Sequence, residues 1–415
     1  MTGASILSKL GSYRHNRDGN VLLATALMIP AIMTVVGGAI DFRRANNVAA
    51  DLQTSLDAAA LAALSDKTVS QDNVTSFVQN FVTRNLDSDC TLALNVTKAD
   101  GTVSIEGSCA VPTTLLAYIN KPTLTVRQSS VAEQRRPEDI PCVLALSDQD
   151  QTAIRVNAGA SINSPACGIH SNATGLSAVF VNNDGAIEAS SVCMSGEARV
   201  NNNGTINPPP QGYCDYVSDP LASLPIPSNA EAPCEYLNFD GSYDQEINPG
   251  VYCGTITITS GTTITMRPGT YVFREGALIL NGGSSLIGSD TTLYFHDDQS
   301  RIRANAQINI QLDAPDSGPY AGIAVFQNQA VSAGTGPSFQ INSDSTSYIE
   351  GVYYTPGSEL TINADAGFNQ SAAYSAIMVD RLTANAGAAL NLNSDYESGT
   401  PLPELLKETP PRLIL

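Results

Sequence analysis

The sequence predicts an N-terminal transmembrane and long α-helix, a small α+β module, and then an all-β right-handed parallel β-helix (solenoid). Three observations carry this. Residues 20–40 hold no charged side chain over 21 positions, enough for a helix of about 30 Å, the thickness of a bilayer core. The stretch from Asp41 to Leu64 has no Gly or Pro and repeats apolar residues at helical spacing. From about residue 141 to 398, short Asn/Gly corners recur with a period in the low twenties.

The apolar segment 20–40 reads as a single transmembrane helix. Lys9, Arg14 and Arg17 precede it against Asp18, while Arg43 and Arg44 follow it with Asp41, Asp51 and Asp57. The positive-inside bias assigns 1–19 to the cytoplasm and the rest to the far side. A signal peptide cleaved near Gly37-Gly38-Ala39 is the alternative. Pro30 kinks a membrane helix without ending it. Beyond it, Val48, Leu52, Leu56, Ala60 and Leu64 recur at i+4, so 41–65 continues the anchor as a helical stalk. The whole helix runs about 45 residues, roughly 65–70 Å. Such a helix suits a coiled-coil stalk or the N-terminal helix of a pilin-like protein.

Residues 66–136 form the small α+β, pilin-like module. Val74, Phe77, Val78 and Phe81 suit a short helix. Thr91–Thr97 and Val103–Val111 read as strands around the turn Ala99-Asp100-Gly101. A short helix at Thr113–Ile119 and a strand at Leu124–Val131 complete the module, and Arg135-Arg136-Pro137-Glu138 reads as a linker.

Residues 137–400 form the β-helix. Asn157-Ala-Gly-Ala-Ser-Ile162, Asn281-Gly-Gly-Ser-Ser-Leu286 and Asn385-Ala-Gly-Ala-Ala-Leu390 are its clearest corners. Gly261 to Gly283 spans 22 residues, Asn281 to Asn305 24, Asn342 to Asn363 21 and Asn363 to Asn385 22. A fixed period with short strands points to stacked coils that share one core. Thr255–Thr259, Thr270–Phe273, Leu278–Leu280 and Leu293–Phe295 alternate apolar and polar residues as such strands require. Corner asparagines tolerate left-handed backbone and can stack into ladders. An irregular β-sandwich is the runner-up. The period breaks in the Pro/Cys-rich excursion 207–249 and again between Gly318 and Ser338, where Asn305 to Asn342 spans 37 residues. Long loops on a rigid scaffold are where binding concentrates. Residues 401–415 read as a docking tail or a frayed end.

The eight cysteines (Cys90, Cys109, Cys142, Cys167, Cys193, Cys214, Cys234 and Cys253) all follow the apolar segment. An even count in a polar chain points to disulfides and an oxidising compartment. No C-x-x-C occurs and the histidines are three, His15, His170 and His296, which does not make a zinc site. Eight cysteines allow about 105 pairings. Pairing of neighbours (90–109, 142–167, 193–214, 234–253) closes loops of about 20–26 residues and is the expected pattern; small buried thiols are the alternative.

Charge divides the chain. Residues 1–136 carry 12 basic and 11 acidic side chains, whereas 137–415 carry 9 against 29, a net of −20. That acidity excludes nucleic acid as a partner, since no basic surface is present to displace phosphate counterions. Diffuse acidity serves solubility, with metal binding the sharper reading.

A β-helix invites comparison with enzymes acting on polysaccharides. Asp297, Asp298, Arg301, Arg303, Asp313 and Asp316 cluster in sequence, and two carboxylates flanking a sugar bond are the minimum for glycoside hydrolysis. The same residues also read as an ordinary charged turn between coils. The chain has no Trp, no G-x-S-x-G and no P-loop. Ser147-Asp148-Gln149-Asp150 lacks the D-x-S-x-S order of a metal-adhesion loop. No catalytic residue, metal ligand or cofactor is assigned.

Three stretches carry a family resemblance: Arg17-Asp18-Gly19-Asn20-Val21, then Val36-Gly37-Gly38-Ala39-Ile40-Asp41-Phe42-Arg43-Arg44, then Leu52-Gln53-Thr54-Ser55-Leu56-Asp57-Ala58-Ala59-Ala60-Leu61-Ala62. They resemble the N-terminus of TadG-like proteins, in the TadE/TadG group of the tight-adherence (Flp pilus) assembly machinery. Cys142-Val-Leu-Ala-Leu146, Asp219-Pro-Leu-Ala-Ser-Leu-Pro225, Pro249-Gly-Val-Tyr-Cys253 and Gly318-Pro-Tyr-Ala-Gly-Ile323 look like the C-terminal region of alphaproteobacterial members. The resemblance implies a single-pass protein of the bacterial inner membrane, with a periplasmic C-terminal domain and other pilus-assembly proteins as partners. Processed pseudopilins carry Glu five residues after the cleaved Gly, and that place after Gly19 is Ala24, so processing there is not implied. Many relatives carry a von Willebrand type A domain where this chain has its solenoid, so a metal-dependent adhesion role does not carry over.

The expected function is therefore a non-catalytic structural component for assembling or anchoring such pili. An anchored protein that binds or cleaves envelope glycan is the second reading, and an exported adhesin the third.

Overall fold

The computed structural model describes residues 20–66, 68–86, 90–99, 101–134, 141–342, 345–368, 372–395, 400–407 and 411–414. The expected cytoplasmic segment 1–19 and the turn residue Asp100 lie outside these. The chain divides into one unit of residues 1–135 with 410–415 and a second of 136–409.

In the first unit the Gly- and Pro-free run continues the N-terminal segment without a break, giving α1, Asn20–Ser65. Leu27, Met28, Ile29, Ile32, Met33, Val35, Val36 and Ile40 are exposed along its first half. The side chains of 20–24, 30, 31 and 34 fall outside the description, so the expected span 20–40 does so in part. Among the described residues no helix is long and apolar enough to cross a membrane.

The second half of α1 does not stand free as a stalk. It lies on an antiparallel sheet of β1 (Thr91–Ala99), β2 (Thr102–Pro112) and β3 (Thr123–Glu133). Its buried stripe of Val48, Leu52, Leu56, Ala59, Ala60 and Ala63 packs with Val103, Ile105, Val111 and Ala132 of the sheet. Val74, Val78 and Val82 of α2 (Val74–Asn85) join that core. An amphipathic helix gains stability by burying its apolar face, and β2 and β3 cover this one. Gly107 admits it closely, because a Cβ there would meet Leu56 Cδ1 at 2.9 Å. The side chain of Gln128 donates to the Ala49 carbonyl at 3.2 Å, and that of Gln53 to the Ser129 carbonyl at 3.1 Å. The expected helix at Thr113–Ile119 is a single 3₁₀ turn, Leu116–Ile119.

Residues 401–415, expected to form one tail, divide between the units. A short helix, Glu404–Lys407, ends the second unit, while strand Arg412–Ile414 pairs antiparallel with β3, Val131 facing Ile414.

The second unit is a parallel solenoid with three strands per coil, each strand pairing with the one three places on. Its stacking order is not its chain order. From one end the coils run 236–247, 250–266, 269–288, 291–313, 323–350, 351–368 and 375–391, and then 143–164, 169–189 and 192–207. The winding thus begins in the middle, runs out to one end, crosses back to the other and returns. At the seam Ile377 pairs with Val143, Leu382 with Ile154 and Leu390 with Ile162. The near-identical corners at 157 and 385 stack on each other, with Asn157 Nδ2 donating to Asn385 Oδ1 at 3.1 Å. The same ladder continues through Asn182 and Asn202, at 3.2 and 3.1 Å. Each corner turns through left-handed backbone: φ is 55° at Ala158, 76° at Gly159, 52° at Ala386 and 79° at Gly387.

Inside the coils, aliphatic and aromatic side chains form one continuous core. Outside, the first strand of each coil contributes to a second apolar row: Val251, Val272, Tyr294, Phe326, Tyr354, Met378 and Leu144, each on the partner of the one before. All seven are fully buried, because the excursion lies over them. Residues 208–235 bridge the two ends of the stack. Nine coil spacings of about 4.8 Å make roughly 43 Å, and 28 residues reach about twice that when extended.

The strap descends coil by coil. Val217 bonds Asn172 at 2.9 Å, and the Tyr354 hydroxyl donates to Asp219 at 2.7 Å. The Gln329 amide donates to the Leu221 and Leu224 carbonyls at 2.9 and 3.2 Å, and Arg274 donates to Ala230 and Ala232. Leu221, Leu224 and Ala230 fill the apolar row from above, joined by Leu402 and Leu406 of the 400–407 segment. Cys193–Cys214 and Cys234–Cys253 pin the two ends of the strap, with Cα separations of 6.0 and 5.7 Å. Cys142–Cys167 and Cys90–Cys109, each at 5.6 Å, complete the four neighbour pairs at disulfide distance. The 318–338 stretch, the second break in the period, supports the strap: Tyr320 donates to the Pro225 carbonyl at 2.9 Å.

Two outcomes follow from this winding. Asn157→Cys combined with Asn385→Cys should yield a crosslinked peptide pair by mass spectrometry after mild oxidation; stacking in chain order would keep the two apart. Leu221→Ala, which opens a hole under the strap, should lower unfolding stability in urea by about 2–5 kcal/mol.

Candidate functional site: the helix clamp and the solenoid faces

Asp41 follows directly on the uncharged segment and is buried, 3% exposed. The 113–122 connection between β2 and β3 folds back to it. Asp41 Oδ1 accepts the backbone N–H of Thr114 at 3.0 Å, and Oδ2 those of Leu115 and Leu116 at 2.9 and 2.8 Å. The Leu116 N–H, then those of Thr114 and Leu115, hold its carboxyl below the usual range, with Arg44 adding to the effect. One turn earlier Gly37 is buried, and a Cβ there would run into the Leu115 side chain. Gly37 and Asp41 thus form a clamp that fixes the connection to one level of the helix. The sequence showed both residues but not what they hold, because the partner backbone lies more than seventy positions away.

The carboxylates grouped by sequence do not converge. Asp297 braces its own corner: its Oδ1 accepts from the N–H of Gln299 and Ser300 at 2.9 Å and from the Ser300 hydroxyl at 2.6 Å, and its Oδ2 from the Glu275 N–H at 2.7 Å. Burial alone would raise its pKa, but these four bonds outweigh it and the carboxyl is held below its usual range. Arg301 donates to the Gln299 carbonyl at 3.1 Å. Asp313 ends another strand, where burial and the nearby Glu350 push its carboxyl up. The Asp316 N–H meets Asp290 at 3.4 Å, and Arg303 lies on the outward row of a strand. Among the described residues no group of three His, Cys, Asp or Glu side chains could hold a metal ion.

The face built from the second strand of each coil stays open. Its outward row reads Asp240, Thr257, Ile279, Arg303, Gln340, Thr361, Thr383, Arg155, Phe180 and Arg199 across all ten coils. Arg155 and Arg199 flank Phe180, their guanidinium carbons 5.1 and 6.0 Å from its ring centre. Sequence reading missed this trio, because 19 to 25 residues separate its members and no local motif joins them.

Residues 19–66 match the family model described as "Putative Flp pilus-assembly TadE/G-like". The matched stretch takes in all of α1, including the apolar segment, the clamp residues Gly37 and Asp41, and the stripe buried on the sheet. The solenoid lies outside it. No curated protein and no solved structure matches the chain.

The clamp has a pH signature. A carboxyl whose folded pKa is depressed stabilises the fold above its unfolded pKa of about 3.9, and that stability is lost as pH falls through the folded value. Asp41→Asn should therefore lower the thermal midpoint of the detergent-solubilised chain by a few degrees at pH 7. The gap to wild type should narrow as pH falls below about 3.9 and close once the folded carboxyl is protonated. A gap that stays constant with pH would remove the carboxylate from the account.

Proposed function

We propose that this chain is a membrane-anchored periplasmic structural component for assembling or anchoring Flp (tight adherence) pili, and that it is not an enzyme. The observation that carries this is the match at residues 19–66, which coincides with the uncharged segment and the helix built into the first unit. In this reading residues 20–40 cross the bacterial inner membrane once, with 1–19 cytoplasmic. The uncharged run and the exposed apolar side chains of its described part support a spanning helix. Four cysteine pairs at disulfide distance suit the periplasm. The solenoid, with its right-handed coil, serves as a stiff acidic body whose partners are other pilus-assembly proteins of the alphaproteobacterial type. Asp297 engaged in bracing its own corner favours a structural role over catalysis.

The second reading, an anchored envelope-glycan binder, rests on the open row with Arg155, Phe180 and Arg199. An aromatic face between two guanidinium groups suits a carboxylated sugar.

A clean deletion strain examined by electron microscopy separates these. Loss of surface pili, restored by a copy carrying alanines at Asp297, Asp298, Arg301 and Arg303, is the expected result. Normal pili and normal attachment would overturn the assembly role.

A further inference from the structure

We propose that the 113–122 connection is a second membrane contact. Its tip, Leu115, Tyr118 and Ile119, seats in the headgroup layer of the bilayer that residues 20–40 cross. The inference rests on the anchor reading above and adds what the folded domain does at the membrane surface.

Three observations carry it. The first is depth. The clamp holds the connection against helix positions 37–41, the last turn of the uncharged segment. Gly37 lies about 6 Å along the axis on the membrane side of Asp41. Leu115 packs on Gly37, and a Cβ at Gly38 would meet Leu116 Cδ2 at 3.5 Å. The connection is therefore tied to the level at which the apolar segment ends.

The second is exposure. Tyr118 is 87% exposed, Ile119 52% and Leu115 38%, and at the same level of the helix Val36, Ile40 and Phe42 are 53, 59 and 61% exposed. In water so many exposed apolar side chains at one level are costly and mark an interaction site. On the same helix Leu27, Met28, Ile29, Ile32, Met33 and Val35 are also exposed, so one medium would cover both. A tyrosine with an apolar body and a polar tip suits the interface between hydrocarbon and water.

The third is charge. Arg43 and Arg44, which directly follow the clamp on α1, and Lys121, at the neck of the connection, are exposed, while the carboxylate of Asp41 is taken up by three N–H groups. The balance facing the headgroups is positive, although the second unit is strongly acidic. Cations at this level attract anionic lipid. The neck of the connection is closed by Thr113, whose N–H donates to the Pro122 carbonyl at 3.0 Å and whose hydroxyl donates to the Lys121 carbonyl. The tip is thus presented on a closed turn.

The absence of Trp from the sequence makes the test direct. Tyr118→Trp gives a chain with a single indole at a position exposed enough to leave the fold intact. The full chain is reconstituted into phosphatidylcholine–phosphatidylglycerol vesicles whose acyl chains are brominated near the headgroup or near the bilayer centre. The expected result is blue-shifted emission, with most of it lost to shallow bromines and less to deep ones. Leu27→Trp, prepared separately, reports the anchor itself and should be quenched by deep bromines. If the indole at position 27 is quenched while that at position 118 emits as in water and ignores bromine, the surface contact is overturned and the anchor stands. A blue shift at position 118 without quenching would mean that protein, the chain itself or a second copy of it, covers the tip, and also overturns the proposal. If the indole at position 27 escapes quenching, the anchor reading falls and the contact falls with it.

Discussion

The pairing of residues 375–391 with residues 143–164 is the contact on which the second unit depends. Neither block makes a complete solenoid alone. One would present an open edge at Ser375–Asn385 and the other at Val143–Ala145 and Ile154–Asn157. An open parallel edge leaves unpaired N–H and C=O groups that invite another chain. Joined in register, the two blocks share one core from Ile247 to Met194. The Asn157–Asn385 and Asn163–Asn391 bonds, at 3.1 and 3.2 Å, extend the corner ladders across the join.

That arrangement obliges the chain to travel from one end of the stack to the other, and the crossing has been turned to structural use. The outward row from Val251 to Leu144 would be an apolar stripe open to water. The strap covers it, so the first sheet is buried on both faces as parallel sheets commonly are. The strap also sets local electrostatics. Burial pushes the Asp219 carboxyl above its usual range, opposed by the Tyr354 hydroxyl and the Leu221 N–H. His296 meets Glu231 of the strap at 3.1 Å. The solenoid is therefore polar on its open row and closed on its apolar one.

In the first unit the same logic of covering apolar surface applies to α1. Beyond Asp41 its stripe is buried by the sheet and α2; before Asp41 the side chains of Leu27, Met28, Ile29, Ile32, Met33, Val35, Val36 and Ile40 face outward. The clamp stands at the boundary between the two regimes. A carboxylate there would be costly if left unpaired, and three backbone donors satisfy it. Those donors belong to the connection whose apolar tip lies beside the end of the uncharged segment, so one residue links the helix, the sheet and the surface presented next to them.

Much of this was legible in the sequence where the signal is local. Strands at Thr91–Ala99, Thr102–Pro112 and Thr123–Glu133 follow from two-residue alternation, and the second half of α1 from a run without breakers. The coil period follows from Asn/Gly corners that must adopt left-handed backbone, and the cysteine pairs lie between sequence neighbours because short loops bring them together. What the sequence could not fix was adjacency between distant segments. The corners at Asn157 and Asn385 carry almost the same residues, yet a repeat reports that coils stack without saying which coil meets which. Likewise the Pro-rich excursion reads as a break in the period, whereas its function as a cover depends on Tyr294, Phe326 and Tyr354 forming one row. Asp41 reads as a charge flanking a helix, and only folding brings Thr114–Leu116 to it. Periodicity and spacing act through neighbours along the chain and so determined the elements; burial of the remaining apolar surface acts through space, and it alone decided their order, their cover and their clamp.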